Sequence, residues 1–145
     1  MKALQYSALL IGLMLVICSC GDDPLSTTIV GTTWKAYSVE QSGCDETSED
    51  FALRTATNNC IEWDRTTLCD YTYQFLADGL GFYQYTETSG AERFDFEYTV
   101  NDDINQLTIC ESTNDCIIFN VDGNNLTLTS SDVDGCIVNA LFVKG

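Results

Sequence analysis

Histidine is absent from this chain, and basic residues are scarce: six Lys and Arg stand against 22 Asp and Glu, for a formal net charge of −16. Without histidine the commonest acid–base group at neutral pH is missing, so a nucleophile–base pair cannot be built on it. A zinc site would have to use cysteine and carboxylate ligands alone, and the cysteines lack the paired Cys-x2-Cys spacing of zinc ribbons. Neither a phosphate-cradling glycine loop nor a basic patch interleaved with aromatics occurs. The acidic excess repels phosphate backbones and anionic headgroups, which argues against nucleic acid as a partner. Its ordinary use is solubility, and it leaves room for a cationic partner. These absences lead us to expect no enzyme, no catalytic residue, no metal and no cofactor.

What is present starts at the N-terminus. Lys2 precedes an apolar run from Ala8 to Ile17, too short to span a bilayer and followed by small residues, which is the pattern of a secretory signal. The segment Ile17-Cys18-Ser19-Cys20 resembles the lipobox of bacterial lipoproteins. That resemblance implies a signal peptide over 1–19, acyl chains such as palmitate on Cys20, and a lipidated tether over 20–30 ahead of a domain at 31–145. It also implies a membrane partner, through that anchor, and an address in the cell envelope. Asp22-Asp23 resembles the acidic export tag of surface lipoproteins of Bacteroidota, so the expected location is the outer membrane, at its periplasmic face or the cell surface. The hydrophobic content of 45% and aromatic content of 11% are those of a chain with a core, not of a disordered tail.

Cys44, Cys60, Cys69, Cys110, Cys116 and Cys136 remain after Cys18 and Cys20. An even number in an exported chain points to disulfides, with fifteen connectivities open. If Leu107 and Ile109 point inward on one strand, and Ile117, Phe119 and Val121 on the next, Cys110 and Cys116 share the outer face of one hairpin and can bridge. A redox-active pair is the alternative there, but nothing nearby is basic enough to lower a thiol pKa. For the other four we expect Cys60–Cys69 and Cys44–Cys136.

From Thr32 the hydrophobic pattern takes a period of two. Strands are predicted near 32–40, 69–76, 81–87, 93–100, 106–110, 116–121, 125–130 and 136–144, most of them joined by turns such as Asp78-Gly79 and Asp122-Gly123-Asn124. Residues 41–68 interrupt the series. This excursion carries Cys44, Cys60 and, just after it, Cys69, and its Ser48-Glu49-Asp50 suggests a capped short helix at 49–56. Eight short antiparallel strands in a meander predict an all-β, up-and-down barrel with a long disulfide-stapled excursion after the first strand; a two-sheet β-sandwich is the alternative. Asp95 and Glu97 lie about 7 Å apart on one strand face, within glycosidase range but on the solvated side. Asp132-Val133-Asp134-Gly135 reads as a turn rather than a calcium loop, since the closing Glu is absent.

Taken in order, Ile29-Val30-Gly31-Thr32-Thr33-Trp34-Lys35, Tyr73-Gln74-Phe75-Leu76-Ala77-Asp78-Gly79, Leu107-Thr108-Ile109-Cys110 and Asn125-Leu126-Thr127-Leu128-Thr129 resemble the small lipocalin-like lipoproteins of Bacteroidota. The resemblance implies that Trp34 closes the barrel floor beside a basic side chain near the last strand, for which Lys144 is the candidate. Tyr71, Tyr73, Phe75, Phe94, Phe96, Tyr98, Phe119 and Phe142 form the expected interior. Two functions follow. One is a non-catalytic binding module in which those aromatics hold a small, mostly apolar ligand. The other is a structural or interaction lipoprotein with a filled barrel, whose acidic loops meet a protein or glycan partner.

Overall fold

The computed structural model describes residues 25–44, 50–63, 65–112, 115–131 and 136–145. Residues 1–24, Cys20 among them, on which the expected signal and lipid anchor fall, lie outside these, as do Ser48, Glu49 and Asp132 to Gly135. Among the described residues the chain forms a short helix, α1 (Leu25–Ile29), and ten strands: β1 (Thr33–Ser42), β2 (Phe51–Thr55), β3 (Cys60–Trp63), β4 (Thr66–Phe75), β5 (Leu80–Glu87), β6 (Gly90–Asn101), β7 (Gln106–Ser112), β8 (Asp115–Asp122), β9 (Asn125–Ser131) and β10 (Ile137–Lys144).

Strands β4 to β10 form an antiparallel meander, and β10 returns to pair with β1. The ring closes where Thr33, Trp34 and Lys35 of β1 pair with Gln74, Tyr73 and Thr72 of β4. This is a closed eight-stranded up-and-down barrel, which removes the exposed sheet edges that a two-sheet sandwich would keep. Closure covers only one end of the seam. Toward the other end β1 and β4 splay apart, and β2 and β3 fill the gap, β2 pairing with β1 and β3 with β4. The 41–68 excursion is therefore built into the wall. Its expected helix at 49–56 is corrected to strand β2 over Phe51–Thr55, where pairing to β1 supplies the backbone hydrogen bonds that a helix would have made internally.

Two irregularities set which side chains point inward. The β1–β10 register shifts between Ala36 and Ser38, so inward residues change from Trp34 and Ala36 to Val39 and Gln41. The β4–β5 register shifts between Cys69 and Thr72, where Asp70 has a left-handed φ of 51° and donates its N–H to the Asn59 carbonyl. Inward residues accordingly pass from Leu68 to Tyr71, Tyr73 and Phe75. Gly81 faces Phe96 across the β5–β6 ladder, and a Cβ there would lie 2.4 Å from the Phe96 ring and 2.8 Å from the Gln74 carbonyl oxygen. Only glycine lets that ring lie flat on the wall.

Packed structure begins earlier than residue 31. Leu25 and Ile29, one helical turn apart on α1, are buried in the core, and Gly31 donates its N–H to the Phe75 carbonyl at 2.8 Å. The barrel end carrying α1, Trp34, Phe75 and Tyr98 is the floor. Tyr98 donates its hydroxyl to the Leu76 carbonyl at 2.6 Å, and burial, with Asp78 adding, pushes that hydroxyl's pKa above its ordinary value.

Three disulfides staple the wall: Cys44–Cys136, Cys60–Cys69 and Cys110–Cys116. The last two join residues directly opposite each other in the β3–β4 and β7–β8 ladders. Cys44–Cys136 ties the end of β1 to the start of β10, at the rim opposite the floor. Gln41, buried beneath it, donates from Nε2 to both sulfurs, at 3.3 and 3.4 Å.

Candidate functional site at the barrel mouth

The expected aromatic interior divides by height. In its lower and middle parts Tyr73, Phe75, Phe96, Tyr98, Phe119 and Phe142 are all buried. Tyr73 sits at their centre, with ring centroids 5.0 Å from Phe142, 5.2 Å from Phe119 and 5.9 Å from Phe96. Rings at these separations and edge-to-face angles are packed core. Tyr71 is only half-buried, and its hydroxyl lies 3.2 Å from that of Tyr73. Phe94 corrects the expectation of burial: it points the same way as Phe96 but is 40% exposed, because two residues up β6 it has passed the packed interior and reached the mouth.

At that mouth a concave cleft of about 240 Å³ opens, lined by Trp63, Thr66, Leu68, Tyr71, Tyr85 and Glu87. Tyr71 is its hub, with ring centroids 5.9 Å from Trp63, 5.6 Å from Tyr85 and 6.2 Å from Tyr83. Tyr83 in turn stacks on Phe94 at 4.9 Å. Register explains the grouping: Tyr83 is opposite Phe94 and Tyr85 opposite Glu92 in the β5–β6 ladder, and side chains directly opposite share a face. Tyr71 also touches Phe142 edge-on at 5.4 Å, so the cleft is continuous with the packed core below it. Burial, then the charges of Glu87 and Glu92, push the Tyr85 hydroxyl above its ordinary pKa.

Trp63, Tyr83 and Tyr85 were not among the residues expected from sequence. The alternation Tyr83, Tyr85, Glu87 through β5 was legible; Trp63 was hidden inside the excursion.

The remaining candidates resolve as follows. Trp34 closes the floor, buried, and its indole N–H is without a hydrogen-bond partner among the described residues. Lys144 stands opposite Trp34 in the β1–β10 ladder but is exposed, and the cation–ring contacts among the described residues are Arg54 over Phe51 and Arg93 over Phe82 instead. Asp95 is exposed and paired with Arg93 at 3.0 Å, a solvated charge rather than half of a catalytic dyad. Asp122 to Asn125 form a hairpin turn with Gly123 at a φ of 58°. Among the described residues no cluster of carboxylates and cysteines is arranged to hold a metal.

Fold and site thus define a class: a closed, disulfide-stapled, eight-stranded barrel with a solid floor and an aromatic mouth. No family model matches the chain, and no curated protein matches it. Among solved structures it is similar to "Bovine Odorant Binding Protein deswapped triple mutant", at 15% identity over 77% of this chain and 71% of that one, with a TM-score of 0.39. A likeness at that level transfers neither ligand nor role.

Proposed function

We propose that this chain is a lipid-anchored protein of the bacterial cell envelope whose barrel mouth takes a small, mostly apolar molecule, or the end of a longer one. The observation that carries this reading is the cleft between Trp63, Tyr71 and Tyr85, concave and aromatic at one end of a barrel sealed at the other. Binding sites combine apolar walls with a few polar groups, and this lining is mixed: the rings of Trp63, Tyr71 and Tyr85 and the Leu68 side chain beside Thr66 and Glu87. The volume limits the occupant to something about the size of one ring or a short alkyl chain. Burying it gains about 25 cal/mol per Å² of apolar area before the costs of ordering.

Native mass spectrometry of protein gently extracted from its own envelope tests the reading. A discrete extra mass, lost on Trp63→Ala or Tyr71→Ala, is the expected result. Ligand-free spectra across extraction conditions, together with no change in Trp63 fluorescence on titration with a neutral apolar probe, would leave the filled barrel of a structural or interaction lipoprotein as the better account.

The anchor rests on the lipobox resemblance at Cys20 and is tested separately. Two or three acyl chains hold a protein firmly, whereas one holds it marginally. Cys20→Ser should therefore move nearly all of the protein from membrane to soluble fractions. If the variant still sediments with membranes, lipidation at this residue is wrong.

A further inference from the structure

We propose that the occupant of the mouth is an organic cation: a quaternary or protonated amine carried on an apolar body, held by the aromatic faces of Trp63, Tyr71 and Tyr85 and by the carboxylate of Glu87. The inference rests on the reading of the cleft as a ligand site and narrows its ligand class.

Three observations meet there. First, three electron-rich rings line the cleft, those of Trp63, Tyr71 and Tyr85, with Trp63 and Tyr85 each in contact with Tyr71 at ring centroids of 5.9 and 5.6 Å. Ring faces attract cations, most strongly where water is partly excluded, and several rings around one cavity suit an ammonium better than a neutral alkyl group. Second, its charged side chain is acidic. Glu87 lines the cleft, and Glu92 stands at the rim opposite Tyr85. Glu87 is half-buried, and its neighbour along the turn, Ser89, donates to Oε2 at a long 3.5 Å. Third, none of the described cations lines the cleft. Arg54 reaches Glu62 at 3.9 Å, Arg93 is paired with Asp95 on the outer wall, and Lys35 and Lys144 belong to the floor end. Arg65, in the turn between Trp63 and Thr66, has a partner of its own and is not among the residues that line the cleft. The Tyr85 hydroxyl in the cleft is raised above its ordinary pKa by burial first, with the charges of Glu87 and Glu92 adding to it. Across the chain, 22 acidic residues against six basic ones repel an anionic ligand before it arrives.

The test uses three probes with one apolar tail: octyltrimethylammonium, octanol and octyl sulfate. Each is titrated into the purified protein at low ionic strength and followed by Trp63 emission, with Trp63→Phe removing the contribution of that residue. The cation is expected to bind about tenfold more tightly than octanol, and octyl sulfate not measurably. Glu87→Gln is expected to reduce the ratio of cation to octanol affinity several-fold. Glu97→Gln, an equal change of net charge on the outer face of β6, should leave the preference intact. Equal binding of cation and alcohol, or tighter binding of the sulfate, overturns the cation inference and leaves the apolar cleft standing. A Glu97→Gln effect as large as that of Glu87→Gln also overturns it, since net charge alone would then explain the preference. Binding of none of the three overturns both readings.

Discussion

Replacing Cys44 and Cys136 together, by Ser and Ala, is expected to lower stability by about 4–5 kcal/mol, the largest loss available from any one disulfide here. The bridge spans 92 residues of sequence, against 9 for Cys60–Cys69 and 6 for Cys110–Cys116. On the chain-entropy account the cost of freeing the unfolded chain grows with the logarithm of the loop, which gives about 4.6 kcal/mol for the long bridge and about 2.4 kcal/mol for the shortest. Local structure pushes the same way. Cys136 is fully buried, and Gln41 would lose both sulfur acceptors beneath the rim, whereas Cys116 is exposed on a tight hairpin. For a domain whose total stability is of the order of 5–15 kcal/mol, this loss leaves little reserve. Urea unfolding of the two double variants, Cys44→Ser/Cys136→Ala and Cys110→Ala/Cys116→Ala, measures the difference directly. Losses equal within error would show that loop length does not govern the stapling of this barrel.

That the long bridge could be expected at all reflects which features of a barrel are local. Period-two alternation through Phe94, Phe96, Tyr98 and Val100 specifies a strand and its inward face, and Asp78-Gly79 and Asp122-Gly123 mark its neighbours' turns. Pairing in series then follows from short connections, and the ends of the first and last strands must meet in a closed ring. Height along the barrel axis is not local. Phe94 and Phe96 have the same parity, yet one is exposed and the other buried, because the depth of a residue depends on how the strands are staggered around the ring. Nor are the register shifts beside Tyr37 and Asp70 announced by any residue pattern, and the one at Asp70 decides that Tyr71 faces inward. The local cues before Phe51–Thr55, a serine followed by acids, favour a helix start; the splayed seam between β1 and β4 overrides them by offering a pairing edge, and the segment is a strand. Helix α1 has five residues, too few to show a period.

Phe142→Ala carries the second large effect, an expected loss of about 3–5 kcal/mol, and it separates packing from binding. Phe142 is fully buried, lies edge-on to Tyr71 at 5.4 Å and Tyr73 at 5.0 Å, and approaches Phe119 at 6.1 Å. It is the point where the packed interior touches the wall of the cleft. Truncating it leaves a void on the order of 100 Å³ that the surrounding rings cannot fill without leaving their own contacts, and apolar voids of that kind stay dry and admit small aromatic molecules. Because Tyr71 lines the cleft and would lose the Phe142 contact that backs its ring, the ring can shift into the void, so the variant should be less stable in urea yet accept longer-tailed ligands, octyl probes gaining affinity relative to butyl ones. Phe94→Ala, at the exposed rim, is the contrast: it removes a stacking partner of Tyr83 at 4.9 Å but little buried area, so its stability cost should stay near 1 kcal/mol. A Phe142→Ala barrel that loses stability but shows no change in chain-length preference would mean that the cleft and the core are sealed from each other, and that the floor of the site lies above Tyr71.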